Sequence, residues 1–300
     1  MIQVQNVQQQ PSQDVREQLY SQLEGYMGLS STKKKMDSSE KSGGTTLKRK
    51  SSEQSSSSSS SKALSKNTLA IKVNGKTIKG SAQNIVGRVV EAEMGASFRE
   101  EALKAQAVAA YTYIRYNNQK GTIPSLPAKS SVSAKVEDAV EQVIGEALYY
   151  QGEYINATYC ASNAGNSVDS ENVWGGYLPY LRSVESPGDT TLKAYGAVKR
   201  FSEEEIAQYI EENLDVDPYD YSDPDEWFED EEYINGRYVD SIRVCGKRLS
   251  GREAREELME FALPSAAFEV EYDDGEFIFT TYGYGHGVGM SQWGAIGYAR

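Results

Sequence analysis

The sequence predicts an α+β fold: one domain of mixed helices and antiparallel strands, preceded by a disordered tail. Segments with helical and with strand periodicity follow one another without the regular β-α-β alternation of a parallel sheet. Strand-like segments flank short turns at Asn74-Gly75 and Asp274-Gly275, which predicts antiparallel pairs. Residues 1–66 are instead dominated by Gln, Ser and Lys, and they contain too little apolar surface to offset the entropy of folding.

The charge is divided unevenly between these parts. The 300 residues carry a net charge of −13, but residues 1–70 contain ten Lys or Arg and six Asp or Glu, so residues 71–300 have a net charge of −17. An acidic body repels phosphate backbones, so nucleic acid is not an expected partner. There is no apolar run of about 18 residues, and the first residues lack the basic start and apolar core of a secretory signal. We therefore expect either a cytoplasmic protein or an export or anchor segment outside this sequence.

The first half of the folded part begins with a hairpin of Thr68–Val73 and a return strand from Thr77. Residues 85–93 are apolar on one side, and Met94-Gly95-Ala96 ends that pattern. A capping box of Ser97 and Glu100 predicts a helix that runs to about Tyr116.

A second helix around 136–143 is closed by Gly145, and a hairpin is predicted over residues 148–160, with its turn at Gln151-Gly152. Tyr238–Val244 is a predicted strand, and Gly251–Phe261 is a predicted helix. A final strand pair is predicted from residues 267–270 and 277–282.

Residues 202–236 contain fifteen Asp or Glu and no Lys or Arg. Ser202 followed by three glutamates is a favourable helix start, because carboxylates stabilise the positive end of the helix dipole. We expect the rest to be a solvated loop. A calcium site is the alternative, although the EF-hand spacing is absent.

His286 is the only histidine, and it lies among glycines in residues 285–289. A serine or cysteine nucleophile with a histidine base would have to use it. The same surroundings suit an imidazole held by backbone hydrogen bonds, so the functional and structural interpretations both stay open.

Glu91 and Glu93 precede the first long helix, and on an extended segment residues two apart face the same side. Two close carboxyl groups, or one in an apolar wall, keep a proton near neutral pH and can act as a general acid. A carboxylate before a helix is ordinarily a surface residue, so composition alone does not single out Glu93.

Cys160 and Cys245 are the two cysteines, and neither belongs to a CxxC pair. They form either one disulfide or two free thiols, and no zinc knuckle is predicted. Two cysteines alone do not define the redox compartment.

Three motifs resemble the SpoIID/LytB family, in the same order. They are EMGASFREEALKAQAVAA at 93–110, VWGG with PYLRSV between 173 and 184, and GHGVGMSQ at 285–292. The resemblance covers about residues 67–300 and implies a SpoIID-like catalytic domain. Relatives continue with a further Tyr-rich segment, so we expect this domain to be truncated at its C-terminal end.

The resemblance implies a peptidoglycan lytic transglycosylase of sporulation and engulfment. The family's catalytic acid is the Glu of a Glu-Met-Pro motif, which corresponds to Glu93, with Gly95 in place of the proline. The acid protonates the glycosidic oxygen, and its carboxylate then deprotonates the muramyl 6-hydroxyl, which leaves a 1,6-anhydro end. Glu91 is then a neighbour and not a partner.

Seven other residues are predicted to bind substrate or shape its cleft. Three of them share a helix face, although relatives usually have Arg at position 111. The seven are Lys104, Tyr111, Arg115, Asn163, His286, Ser291 and Gln292. Trp174 is expected either to stack on a sugar ring or to pack in the core, which is the commoner role of a tryptophan.

The resemblance also bears on cofactors, partners and location. Some relatives bind zinc in the loop equivalent to 159–165, but Cys160 replaces their histidine and no second cysteine is nearby, so neither a metal nor another cofactor is predicted. The expected partners are glycan strands of peptidoglycan and an amidase or endopeptidase of the engulfment machinery. The expected location is outside the cytoplasmic membrane, with an anchor outside this chain and residues 1–66 as a tether.

Two other functions remain open. A LytB-type member binds the wall and stimulates an amidase without cutting glycan, and a structural glycan-binding module has no turnover at all. Glu93 in its Glu-Met context favours the enzyme.

Overall fold

The computed structural model of the protein describes residues 67–299. The tail predicted for residues 1–66 lies outside the described residues. Helices and antiparallel strands are mixed across 67–299, so the predicted α+β class is confirmed. None of the described helices is both long and apolar enough to cross a bilayer.

An antiparallel hairpin and three helices form the N-terminal part of this domain. They are β1 (Thr68–Val73), β2 (Lys76–Ser81), α1 (Ala82–Glu93), α2 (Glu100–Gln119) and α3 (Ala134–Val143). The hairpin turns at Asn74-Gly75, where both residues have positive φ, as the dipeptide predicts. One face of α2 packs in the core, where Leu103, Ala107, Ala110 and Ile114 are all buried.

The end of α1 differs from the prediction. Glu91 and Glu93 lie on a helix and not on an extended segment, so their side chains point about 200° apart. The prediction that they face the same side is therefore wrong. Glu91 instead accepts hydrogen bonds from the backbone N–H and the hydroxyl of Ser133, at the start of α3.

The start of α2 also differs from the prediction. The helix begins at Glu100, its N-cap is Arg99, and no side chain caps it, so the predicted capping box is wrong. The preceding turn is held by packing instead, because buried Phe98 lies with its ring centroid 5.0 Å from that of Trp293.

Short strands connect the middle of the chain to its end. β3 (Tyr149–Tyr150) and β4 (Glu153–Tyr154) form the predicted hairpin around Gln151-Gly152. β5 (Tyr159–Cys160) does not continue this hairpin, contrary to the prediction. It pairs in parallel with β12 (Met290–Ser291), which leads directly into the last helix, α8 (Gln292–Tyr298). The third sequence motif is thereby held beside β5.

The C-terminal part contains two three-stranded antiparallel sheets among the described residues. Their strands are β6 (Tyr195–Ser202), β7 (Phe228–Ile234), β8 (Tyr238–Val244), β9 (Lys247–Leu249), β10 (Phe268–Asp273) and β11 (Glu276–Tyr282). The strand orders are β10-β11-β6 and β7-β8-β9. The predicted strand over Tyr238–Val244 and the pair around Asp274-Gly275 are confirmed.

Short helical elements complete this part. They are α4 (Ser170–Trp174), a 3₁₀ turn (Pro187–Thr191), α5 (Glu203–Leu214), α6 (Pro218–Tyr221), a second 3₁₀ turn (Pro224–Glu226), α7 (Gly251–Glu253) and a π turn (Ala254–Leu258). A capping box at Ser250 opens α7, but the helix predicted to reach Phe261 ends at Leu258.

The acidic segment 202–236 is more ordered than predicted. Ser202 and Glu205 form a capping box, which confirms the helix start. The solvated loop predicted after it is wrong, because Trp227 is fully buried and stacks on Phe277 at 5.4 Å between ring centroids. Apolar residues between the carboxylates supply the core contacts. Across residues 67–299, no group of three or more His, Cys, Asp and Glu side chains is arranged to hold a metal ion.

Candidate active site

Glu93 is the last residue of α1. The turn that follows it explains why Gly95 stands where the resembled motif has proline. The N–H of Gly95 donates to the carbonyl of Val90, and Gly95 has a φ of 71°. Proline cannot adopt a positive φ, because its ring holds φ near −65°. Glycine therefore ends this helix through a left-handed residue where relatives use proline.

The Glu93 carboxyl group has two polar partners from distant parts of the chain. Gln292, the first residue of α8, donates its amide N–H to Oε2 of Glu93 at 3.0 Å. The Tyr159 hydroxyl of β5 also contacts this carboxyl. The residue keeps a partly exposed surface, although the carboxyl itself is surrounded by protein. Burial raises the pKa of Glu93 to about 7, against the smaller lowering effect of the two hydrogen bonds.

His286 is held by the backbone on both sides of its ring. Its Nδ1 accepts the N–H of Val288 at 3.1 Å, so Nε2 carries the proton and donates to the carbonyl of Tyr159 at 3.1 Å. Burial lowers the pKa of His286 to about 4, so the imidazole is neutral near pH 7. This geometry favours the structural interpretation of His286: it positions β5, and neither nitrogen is available as a base.

Trp174 lies at the end of α4 and is exposed over 39% of its surface, so the prediction that it packs in the core is wrong. The left-handed Gly175 ends the helix directly after it and leaves the indole at the surface. Its ring centroid is 5.1 Å from that of His286. Stacking of Trp174 on a sugar stays a prediction.

A buried carboxylate anchors the start of α8. Asp189, which is 1% exposed, accepts hydrogen bonds from the hydroxyls of Ser186 and Ser291 at 2.7 Å each and from the N–H of Asn163 at 3.0 Å. Ser291 in turn caps α8 by accepting the N–H of Gly294. Asp189 therefore holds the turn from which Gln292 reaches Glu93.

Asn163 and Cys160 belong to the same buried region. Cys160 donates its thiol proton to Oδ1 of Asn163 at 3.0 Å, and burial raises the pKa of that thiol to about 12. Cys160 and Cys245 are both free thiols, so the disulfide alternative is excluded. Asn163 and Ser291 thus lie in the buried region that supports the start of α8. Direct contact of either residue with substrate stays a prediction.

The three predicted residues of α2 divide into two groups. Nε of Arg115 donates to the Tyr111 hydroxyl at 3.0 Å, next to Tyr154 of the hairpin. Lys104 forms ion pairs with Glu100 at 2.9 Å and Glu101 at 2.7 Å, in the first turn of its own helix. Contact of Lys104, Tyr111 and Arg115 with substrate stays a prediction.

The structure brings Gln292 to Glu93, places His286 against the backbone of Tyr159, and adds two residues that the sequence did not single out. Tyr159 lay in a segment noted only for its difference from relatives. Asp189 had no signal, because its partners are separated from it by up to 102 residues. Burial raises the pKa of the Glu93 carboxyl to about 7 beside an amide donor, which is the property that a general acid–base residue requires.

Comparisons with known proteins identify the family of this chain. A family model described as SpoIID, Stage II sporulation protein, matches residues 79–150. Stage II sporulation protein D of Bacillus subtilis (strain 168) is 32% identical over 255 residues, which cover 73% of this chain and 70% of that protein. The protein of the same name from Bacillus amyloliquefaciens is 32% identical over 251 residues, with the same coverage of both chains. The chain belongs to the SpoIID family, as the three motifs predicted.

The chain is also similar, at lower identity, to a protein whose name describes a different function. The Amidase enhancer of Bacillus subtilis (strain 168) is 26% identical over 272 residues, which cover 69% of this chain and 36% of that protein. Membership of the SpoIID family, and not this more distant similarity, connects the chain with sporulation proteins.

Proposed function

We propose that this protein is a peptidoglycan lytic transglycosylase that acts outside the cytoplasmic membrane, and that Glu93 is both its acid and its base. One observation carries the proposal: a buried carboxyl with a pKa near 7 that accepts a hydrogen bond from Gln292 and lies against the Tyr159 hydroxyl. A catalytic acid is most effective when its pKa lies near the working pH, because both protonation states are then accessible.

The protonated form performs the first step. Glu93 donates its proton to the oxygen that joins C1 of a muramyl residue to the next sugar. The bond between C1 and that oxygen breaks, the departing sugar keeps the proton as a hydroxyl, and positive charge develops at C1. Glu93 is left as a carboxylate, which the Gln292 amide stabilises by a hydrogen bond, beside the Tyr159 hydroxyl.

The carboxylate performs the second step. It accepts the proton of the 6-hydroxyl of the same muramyl residue, and that oxygen forms a bond to C1. The product is a 1,6-anhydro end, no water is consumed, and Glu93 is protonated again for the next cycle. A single carboxyl suffices because the nucleophile belongs to the substrate, which agrees with the separate structural task of Glu91.

The test compares two glutamates of the same helix on purified glycan strands without stem peptides. Glu93→Gln keeps the side-chain shape but cannot donate or accept the catalytic proton, so formation of anhydro ends should fall by about 100-fold or more. Glu91→Gln keeps an oxygen that can accept the Ser133 hydrogen bonds, and it should retain activity. Chromatography of the products measures both. Equal activity of the Glu93→Gln variant and the wild type would rule out the proposed acid.

A second candidate function follows from the similarity to the Amidase enhancer. In that case the protein binds glycan and accelerates a partner amidase. Measuring amidase turnover with and without this protein tests the candidate. Acceleration that is equal for the wild type and Glu93→Gln, with no anhydro products from either, would favour the enhancer over the enzyme.

A further inference from the structure

We propose that Tyr150, Trp174 and Tyr180, here called the aromatic surface, bind sugar rings of a glycan strand beyond the bond that Glu93 cuts. The inference deepens the proposed function and rests on it for the nature of the ligand. It predicts that the protein prefers long strands to short fragments.

Exposure of the rings is the first argument. Tyr150 and Trp174 are exposed over 40% and 39% of their surfaces. Clustered aromatic exposure is costly in water unless a ligand covers it. Tyr180 is half-buried and lies behind Tyr150.

The second argument is that each ring has a neighbour that restricts its orientation. Tyr150 packs against Tyr180 with ring centroids 5.6 Å apart. Trp174 lies against His286 at 5.1 Å, and that imidazole is itself held by two backbone hydrogen bonds. Rings that are already oriented lose little entropy when a ligand binds.

The third argument is the connection of both ring groups to Glu93. The Tyr180 hydroxyl accepts the backbone N–H of Asn156 at 3.3 Å, and His286 donates to the carbonyl of Tyr159. Asn156 and Tyr159 are three residues apart, a span of at most about 10 Å. Since the Tyr159 hydroxyl contacts the Glu93 carboxyl, both ring groups lie within reach of a short oligosaccharide held at the acid.

The chemistry of the surface favours a glycan over a protein partner. Sugar rings present flat C–H faces that pack on aromatic rings, and their hydroxyls pair with groups such as a tyrosine hydroxyl. A protein partner would need a continuous apolar centre. Here Tyr150 lies directly beside the exposed polar turn Gln151-Gly152, between β3 and β4, so no continuous apolar centre surrounds it.

The experiment measures binding of fluorescent stem-free glycans, one short and one long, to Glu93→Gln protein, which does not consume them. Tyr150→Ala and Trp174→Ala should each weaken binding of the long strand by about three- to tenfold and hardly affect the short one. Tyr150→Phe should bind as tightly as its parent, because the ring is retained. Tyr233→Ala, which removes a tyrosine of β7 that is 45% exposed, is the control and should change nothing.

The inference is overturned if Tyr150→Ala and Trp174→Ala both bind the long strand as tightly as the parent, or if short and long strands lose affinity equally. It is also overturned if the two variants lose amidase stimulation but not glycan affinity, since the surface would then bind a protein. Binding that depends on length and on the rings, without anhydro products from the wild type, would contradict the transglycosylase proposal alone. Unfolding curves confirm that the variants are folded.

Discussion

The surroundings of Glu93 are the main structural support for the proposed function. Its hydrogen bonds stabilise the carboxylate, but desolvation has the larger effect, so the pKa rises from 4.5 to about 7. The buried environment destabilises the charged carboxylate of Glu93, so the group keeps its proton up to about pH 7. The two Glu93 predictions that follow depend on this balance.

The proposed glycan cleavage should depend on pH through the protonation of Glu93. The initial rate should fall as the pH rises through about 7, because the protonated acid is then depleted. Gln292→Ala removes a hydrogen bond that lowers the pKa, so its descending limb should lie at higher pH. Measured pH–rate profiles test both statements. A rate that stays constant up to pH 9, or a Gln292→Ala limb at lower pH, would contradict the assignment.

The pH dependence of the unfolding free energy should reflect the same pKa of Glu93. A folded pKa of about 7 lies above the unfolded value of 4.5, so the folded state binds the proton more tightly. This contribution to stability is fully present below about pH 4.5 and is lost as the pH rises through 7. Glu93→Gln should therefore unfold a few degrees above the wild type at pH 8, and the difference should shrink towards pH 5. Thermal unfolding at both pH values measures this, and a difference that grows towards pH 5 would contradict it.

At the scale of elements, turns and helix ends were the easiest features to predict. The turns at Asn74-Gly75 and Gln151-Gly152 and the helix start at Ser202 depend on residues that are adjacent in sequence, and all three predictions are confirmed. The capping box predicted at Ser97 failed because packing of Phe98 on Trp293 determines that turn. The pairing of β5 with β12 joins residues about 130 positions apart and has no local signal.

The anchor at the start of α8 gives a prediction at this scale. Asp189→Asn replaces one acceptor oxygen by an amide that cannot accept, so one of the Ser186, Ser291 and Asn163 donors loses its bond. The variant should lose about 1–3 kcal/mol of unfolding free energy. Cleavage should also decrease, because Gln292 is held less firmly against Glu93.

Chemical denaturation and a cleavage assay measure the effects of Asp189→Asn. Asp220→Asn, which changes an exposed aspartate of α6, is the control. An Asp189→Asn variant as stable and as active as the control would show that the anchor does not position the site. A shifted pH–rate profile, similar to that of Gln292→Ala, separates loss of positioning from a general loss of stability.

For the whole molecule, the sequence was sufficient for the fold class and the family. Its three ordered motifs span the domain, and their significance comes from length and order, not from any single residue. Glu93 could be selected only through this resemblance. Its partners Tyr159 and Gln292 lie 66 and 199 residues away in sequence, so only the folded chain could reveal the hydrogen bonds that surround the acid.

The most direct test of Glu93 as an acid and base with an internal nucleophile is cleavage in water labelled with heavy oxygen. Mass spectrometry of the glycan fragments then shows where the new bond at C1 came from. The account predicts unlabelled 1,6-anhydro ends that form with the wild type and Glu91→Gln but not with Glu93→Gln. Reducing ends that carry the heavy oxygen, or anhydro ends formed equally by Glu93→Gln, would contradict it.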